Sequence, residues 1–191
     1  MQIQQFNNIR LVLTALVSIA IWAVLIWQFN HGGVPNHHFL RRPDFPAISN
    51  WWGAALLPIL TWWLSGTVKN RLIKEASEKP ELTTTIMLDA KQVMVNFVLA
   101  LVYGTVLSQT YILGHSDISS VLFPAILAFA VFFKVYRAEY VLGFILSMSL
   151  VFGAVLPTMF GTIMAVTAFA LHTLAQSAWQ FTKQKLLTKA A

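Results

Sequence analysis

The chain has 191 residues, of which 57% are hydrophobic and 10% are charged, and its mean hydropathy is +0.66. A soluble domain of this size cannot bury so much apolar surface, so we expect lipid to cover part of it. The sequence has no cysteine, which excludes disulfides and thiolate metal sites. The formal net charge of +6 is spread over short segments between apolar runs, a distribution that argues against a nucleic-acid partner.

Six apolar segments predict an all-α integral membrane protein, a bundle of six transmembrane helices in a single domain spanning residues 1–191. The length of each segment is close to the roughly 17–25 apolar residues that an α-helix needs to cross the hydrocarbon core of a bilayer. In chain order the predicted helices cover about 11–29, 50–68, 92–113, 118–136, 139–156 and 158–180. A histidine-rich loop lies at 30–49 and a charged loop at 69–91. The first half of the charged loop has a helix-forming composition and is predicted to extend the second helix.

The distribution of Lys and Arg predicts the orientation, because basic loops stay on the cytoplasmic side of the membrane. If the N-terminus lies inside, eleven basic residues are cytoplasmic and only Arg41 and Arg42 lie on the outer side. Both termini are therefore predicted to be cytoplasmic. We expect a multi-pass protein of the bacterial inner (plasma) membrane. The eleven inner residues are Arg10, Lys69, Arg71, Lys74, Lys79, Lys91, Lys134, Arg137, Lys183, Lys185 and Lys189.

The third predicted helix carries a polar stripe along its length. At roughly 100° per residue, its members fall within an arc of about 60°. Polar side chains in a membrane helix generally face other helices or a water-filled path, because they are costly against acyl chains. The stripe therefore indicates either hydrogen bonds between helices or the wall of a solute path. It consists of Asp89, Gln92, Asn96, Tyr103 and Thr110.

The sixth predicted helix has a companion stripe of small residues that also contains a histidine: Gly161, Ala165, Ala168, His172 and Ala175. Small residues let helix backbones approach closely. The fifth helix shows a similar face, with Gly143, Ser147 and Ala154, which predicts a tight hairpin of the fifth and sixth helices.

His172 would lie deep in the membrane, where an ionisable group is a functional candidate. It could carry a proton, ligate a metal or bind a substrate, or it could be a neutral ring bonded to a backbone carbonyl, to Asn96 or to Gln92. The chain offers no second histidine at that depth, which argues against a haem held by two histidines of one protomer.

Four of the five histidines are predicted to lie on the outer face, in the stretch HGGVPNHHFLRRPDFPAISNWWG (31–53) and in the short loop GHSD (114–117). Imidazole and carboxylate groups together could bind zinc or another transition metal, although no helical H-x-x-x-H spacing occurs. The histidines could instead form a proton-responsive gate, or simply contact lipid headgroups. The candidate metal ligands are His31, His37, His38, His115 and Asp117, and Arg41, Arg42 and Asp44 complete the outer site.

Three classes of function remain open on these patterns. The first is a small transporter or channel, expected to be a homo-oligomer, with a polar path along the third and sixth helices and the outer histidine loop as its gate. The second is an outer-face, metal-dependent enzyme that acts on a lipid or lipid-linked substrate, with Arg41 and Arg42 holding a phosphate or carboxylate. An accessory or sensory membrane subunit is a third alternative. The expected partners are membrane lipid, a second copy of the chain, and a small solute, ion or lipid substrate.

Overall fold

The computed structural model describes residues 3–38, 47–78 and 83–190, and within these ranges it leaves aside the side chains of Ile3, His38, residues 83–89, Ser116, Phe123 and residues 186–190. Six α-helices and one short β-hairpin make up the described chain. The helices are α1 (Ile3–Asn30), α2 (Gly53–Glu78), α3 (Thr83–Ile112), α4 (Ser116–Phe132), α5 (Ala138–Phe152) and α6 (Val155–Ala190), and the strands are β1 (Asn36–His38) and β2 (Ala47–Ser49).

Three stretches within these helices, Gln4–Asn30, Ala90–Ile112 and Val155–Lys185, are long and apolar enough to cross a membrane. The apolar helices α4 and α5 have 17 and 15 residues, fewer than the roughly 20 that usually span a bilayer. Most of the predicted charged loop at 69–91 belongs to helices, because α2 continues to Glu78 and α3 begins at Thr83. The extension of the second helix is thus confirmed.

Helix α1 shows the kind of surface that lipid would cover. Leu25 is its fully buried hydrophobic side chain, whereas Leu11 and Ile19 are 61% and 66% exposed. Water would solvate such an apolar surface unfavourably. Large contiguous apolar patches are accordingly rare on soluble monomers. The exposure of α1 therefore agrees with the membrane protein that the composition predicts.

Four helices form a ring. Going round it, α3 packs against α5, α5 against α6, α6 against α4, and α4 against α3. Helices α1 and α2 pack against each other outside this ring, and α5 is the ring helix that α2 contacts most. Helix α5 therefore contacts three other helices, and eight of its 15 residues are buried.

The α3–α5 contact depends on two glycines. A Cβ atom at Gly143 of α5 would lie 2.5 Å from the carbonyl oxygen of Phe97 and 3.1 Å from the Cβ of Ala100, both on α3. A Cβ at Gly104 of α3 would overlap the hydroxyl of Ser147. Gly143 and Ser147 of the fifth helix thus pack against α3, so their predicted role between the fifth and sixth helices was wrong. Helices α5 and α6 do pack closely as predicted, but through Gly161 of α6, where a Cβ would lie 3.1 Å from Cγ1 of Ile145.

The β-hairpin lies over the turn between α5 and α6. His37 pairs with Ile48 in the antiparallel ladder. Gly153, in the turn, has a φ of +71° that favours glycine, and a Cβ there would overlap Oδ1 of Asn50 and lie 3.2 Å from Cδ2 of His37. We call this side of the molecule the hairpin end. The first turn of α5 marks the opposite end.

Replacing Gly143 with alanine should lower the free energy of unfolding by about 1–3 kcal/mol, because the added methyl overpacks the α3–α5 contact against backbone atoms. Unfolding by SDS in mixed micelles measures this loss. Ala170→Val adds a comparable volume on the exposed face of α6 and is the matched control. Equal stability of the two variants would contradict the prediction.

Candidate functional site

A pocket of about 450 Å³ lies between the four ring helices and opens to the surface beside the exposed side chains of Leu99, Phe129 and Phe133; we call it the large cavity. All four ring helices line it, and most of the lining is apolar. The polar lining residues are Gln92, Asn96, Tyr103 and Tyr140. Gly161, Ala165 and Ala168 line it from α6. The large cavity therefore lies between the two stripes that the sequence predicted on the third and sixth helices, and it touches three members of each.

A second cavity, of about 350 Å³, lies nearer the hairpin end of the same ring; we call it the hairpin-end cavity. Its walls are almost entirely apolar. The same four helices contribute to it: Leu107 and Tyr111 from α3, Ser119 and Ser120 from α4, Met148 and Phe152 from α5, and Leu156, Pro157 and Phe160 from α6.

One layer of side chains, which we call the barrier, separates the two cavities. Leu107, Phe144 and Met148 are its buried members, and Tyr103, Leu122 and Phe152 pack against them. Tyr103 and Phe144 face the large cavity, whereas Leu107, Met148 and Phe152 face the hairpin-end cavity. The Tyr103 hydroxyl donates a hydrogen bond to the carbonyl oxygen of Leu122, which ties α3 to α4 across the layer.

A buried ion pair lies at the other end of the large cavity. Arg71 of α2 donates through Nη1 to Oε2 of Glu139 (3.1 Å) and through Nη2 to Oε1 (3.0 Å). Glu139 is only 2% exposed. Asn96 donates from Nδ2 to Oε1 of Glu139 (3.4 Å), and Gln92 donates from Nε2 to Oδ1 of Asn96 (2.8 Å). The chain of bonds therefore runs from α2 through α5 to two residues that line the large cavity.

If α5 crosses the bilayer, as the sequence predicts, the ion pair lies at a depth where lipid surrounds the ring. Glu139 lies 13 residues from Phe152, the last residue of α5, which is about 20 Å at 1.5 Å per residue. The hydrocarbon core is about 30 Å thick. A charge at such depth is costly unless an opposite charge and further hydrogen bonds compensate it. Arg71 and Asn96 supply both.

The sequence analysis missed this pair. Arg71 contributed only to the orientation argument, and Glu139 stood at the start of the fifth predicted helix without a role. One signal could have found it: Glu139 is one of only seven acidic residues in the chain, and a long apolar run follows it directly. An acidic residue so close to a membrane segment calls for a basic partner on another helix.

Of the two remaining members of the α3 stripe, one bonds to a neighbouring helix, and the structure does not describe the side chain of the other. Thr110 shares a hydrogen bond with Ser119 of α4 (3.1 Å). Asp89 belongs to α3, but its side chain lies outside the described atoms. The stripe thus bonds to α4 towards the hairpin end, which is one of its two predicted roles, and it forms part of a cavity wall at Gln92 and Asn96, whereas its role as the wall of a solute path stays a prediction.

His172 is buried, and its Nδ1 donates to the carbonyl oxygen of Ala130 on α4 (3.1 Å). Of the neutral partners considered for this ring, the structure therefore provides the backbone carbonyl. Within the described chain its Nε2 has no hydrogen-bond partner, and the ring of Tyr136 lies 5.7 Å away, centroid to centroid. His172 joins α6 to α4 and lines neither cavity.

The histidines of the outer loops have separate surroundings. His31 stacks on Trp27 at 4.7 Å and donates from Nδ1 to the Trp27 carbonyl (2.9 Å). His37 is half-buried beside the α5–α6 turn, and His115 and Asp117 are exposed at the start of α4. His38 belongs to β1, but its side chain is not described, and Arg41, Arg42 and Asp44 lie outside the described residues.

Within residues 3–38, 47–78 and 83–190, no group of three or more His, Cys, Asp or Glu side chains is placed to hold a metal ion. A zinc site that includes His38 or Asp44 stays a prediction. His37 differs electrostatically from a free histidine, because burial lowers its pKa from the ordinary value of 6.5.

Comparison with known proteins leaves the chain without a family. No protein-family model matches it, and no curated protein and no solved structure matches it either.

Glu139→Gln should lower the free energy of unfolding by about 3 kcal/mol, because it leaves the Arg71 guanidinium without its anion. Arg71→Met/Glu139→Leu should recover most of this loss, because the double variant removes both charges. The measurement is SDS unfolding of the three proteins. Glu75→Gln, which removes an exposed carboxylate 3.8 Å from Arg71, should cost less than about 1 kcal/mol. A double variant no more stable than Glu139→Gln would refute the pairing argument.

Acidification should loosen the β-hairpin through His37. A base whose pKa is lower in the folded state than in the unfolded state binds protons less readily when folded, so its contribution is complete above its ordinary pKa of 6.5 and is lost as the pH falls below it. Hydrogen exchange of the hairpin amides, corrected for intrinsic rates, should therefore quicken between about pH 7.5 and about pH 5.5. His37→Gln should abolish this change, whereas His115→Gln should preserve it. Unchanged pH dependence in His37→Gln would contradict the prediction.

Proposed function

We propose that the protein is a small multi-pass membrane transporter and that its solute path is the interior of the four-helix ring. One observation carries the proposal: two cavities share the same four walls in line and are separated by a single layer of side chains. A solute bound in one cavity would reach the other when that layer parts. In this proposal all six helices cross the bilayer, both termini are cytoplasmic and the hairpin end is the outer face.

The barrier supports a carrier rather than an open channel. Its side chains are apolar except for the Tyr103 hydroxyl, which is bonded to the Leu122 carbonyl, so water and ions would not pass it in this conformation. A transporter needs such a closed layer, because it exposes its solute to one side at a time. The Tyr103–Leu122 hydrogen bond would have to break each time the barrier opens.

Helix α4 is the wall best suited to move. Pro124 lies inside it, two residues beyond Leu122, and removes one backbone hydrogen bond of the helix. Bending there would withdraw Leu122 from the barrier while the close α3–α5 contact stayed intact. In this mechanism the β-hairpin, whose His37 lies against Gly153 of the α5–α6 turn, is a pH-sensitive element at the hairpin end of the ring.

Filling the large cavity should stop transport. Ala165→Phe places a ring in the cavity, and Ala170→Phe places the same ring on the exposed face of the same helix. Proteoliposomes loaded with a panel of neutral, anionic and cationic fluorescent amphiphiles would report their efflux. We expect the amphiphiles of one charge class to leave vesicles with the native protein at least about tenfold faster than they leave protein-free vesicles. Vesicles with Ala165→Phe should retain the same amphiphiles, whereas vesicles with Ala170→Phe should release them as fast as the native protein does.

Two results would overturn the transporter. The first is that no member of the panel crosses faster than in protein-free vesicles. The second is that Ala165→Phe and Ala170→Phe alter the flux equally, which would mean that the large cavity is not on the path. Size-exclusion chromatography of both variants establishes that they remain folded and monodisperse.

A further inference from the structure

The lining of the cavities carries information about the solute. Among the residues that the structure describes, no Asp, Glu, Lys, Arg or His lines the large cavity or the hairpin-end cavity. The walls are apolar side chains interrupted by amide and hydroxyl groups. A charged solute would lose its hydration there and find no opposite charge, and the cost of such transfer is far larger than that of burying a neutral polar group.

The ionic groups that bond to the polar lining of the large cavity are already paired. The two Nη atoms of Arg71 contact the two carboxylate oxygens of Glu139, and Asn96 adds a third hydrogen bond to the same carboxylate. A paired guanidinium has little to offer an anionic solute, because binding one would first have to break two charge-assisted hydrogen bonds. The buried ion pair therefore fixes the Asn96 amide without placing a net charge at the cavity.

The neutral polar groups gather at one end of the large cavity. Gln92 lines the cavity and is exposed, so it lies at the mouth of the cavity. Its Nε2 donates to Asn96, and its amide oxygen is the group that we expect to accept a hydrogen bond from a solute. Tyr140 lines the cavity at the same end, in the first turn of α5. A hydroxyl or carbonyl group of a solute would meet hydrogen-bonding partners there, while the apolar remainder of the solute would lie along Leu99, Ile126 and Phe144.

We infer that the transported solute is an uncharged amphiphile with a hydroxyl or carbonyl head, bound with that head at Gln92 and its apolar body in the large cavity. The class includes long-chain alcohols and monoacylglycerols. The volume of about 450 Å³ falls within the range of roughly 300–1,000 Å³ that is typical of small-molecule sites. This inference rests on the proposed function and specifies the substrate of the same site.

The rival class is an anionic amphiphile. The connection between α4 and α5 passes beside the large cavity, since Phe133 and Val135 line it, and it carries Lys134 and Arg137. These two cations do not line the cavity, but a carboxylate at its edge would be close to them. A probe pair that differs only in the charge of the head therefore decides between the classes.

The experiment compares binding of tritiated 1-hexadecanol and hexadecanoate to the full-length protein in nanodiscs, at about pH 9, where the carboxylate is ionised. Protein-free nanodiscs give the background. We expect hexadecanol to bind at least about tenfold more tightly than hexadecanoate. Gln92→Leu should weaken hexadecanol binding about 2- to 10-fold through loss of a hydrogen bond, and Gln109→Leu, on the exposed face of α3, should leave it unchanged.

Each outcome bears on a different statement. Hexadecanoate binding as tightly as hexadecanol, and lost in Ala165→Phe, would overturn the uncharged class and leave the transporter standing, with Lys134 and Arg137 as the site of the head. Binding of both probes that survives Ala165→Phe and Ile126→Trp, two blocking variants from opposite walls, would overturn the large cavity itself and with it the proposed function. Equal loss in Gln92→Leu and Gln109→Leu would remove Gln92 from the site.

Discussion

The close contact between α3 and α5 determines the interior of this protein. Because Gly143 and Gly104 have no side chains, the two helices meet almost backbone to backbone, and van der Waals packing over that length holds them together where lipid supplies no hydrophobic driving force. With α5 fixed against α3 on one side and against α6 on the other, α3 and α6 are held apart. The space between them becomes a cavity, and α4 closes it from the remaining side.

The ion pair of Arg71 and Glu139 depends on the same contact. Helix α5 is shorter than α2 and α3, and its first turn packs between them, where Arg71 of α2 lies at the same level as Glu139 and compensates its buried charge. Such a pair adds little net stability compared with an apolar pair of similar size. Its role is better described as positional: it fixes α2 against the ring and orients the amides of Asn96 and Gln92 towards the large cavity.

Much of the fold could be predicted from the sequence, because helical periodicity and hydropathy are local properties. The six apolar segments each correspond to a helix, and the stripes on α3 and α6 do line one cavity. The partners of those stripes could not be predicted, since a small-residue face does not specify which helix approaches it; Gly143 serves α3 rather than α6. The Arg71–Glu139 pair was missed for the same reason, because it joins residues 68 positions apart. The histidines are clustered in the sequence, but those whose side chains the structure describes have different surroundings: His37 lies in the β-hairpin, and His31 stacks on Trp27.

Helix α6 has a mechanical consequence. It runs unbroken for 36 residues, about 54 Å, and contains no proline beyond Pro157. This length exceeds the thickness of a bilayer with its headgroups, which is about 40–45 Å. The helix begins in the wall of the hairpin-end cavity and passes the large cavity as one rigid rod. A small tilt of this rod at Gly161 would be magnified at its far end. A molecule that held the far end of α6 would therefore shift the wall of both cavities.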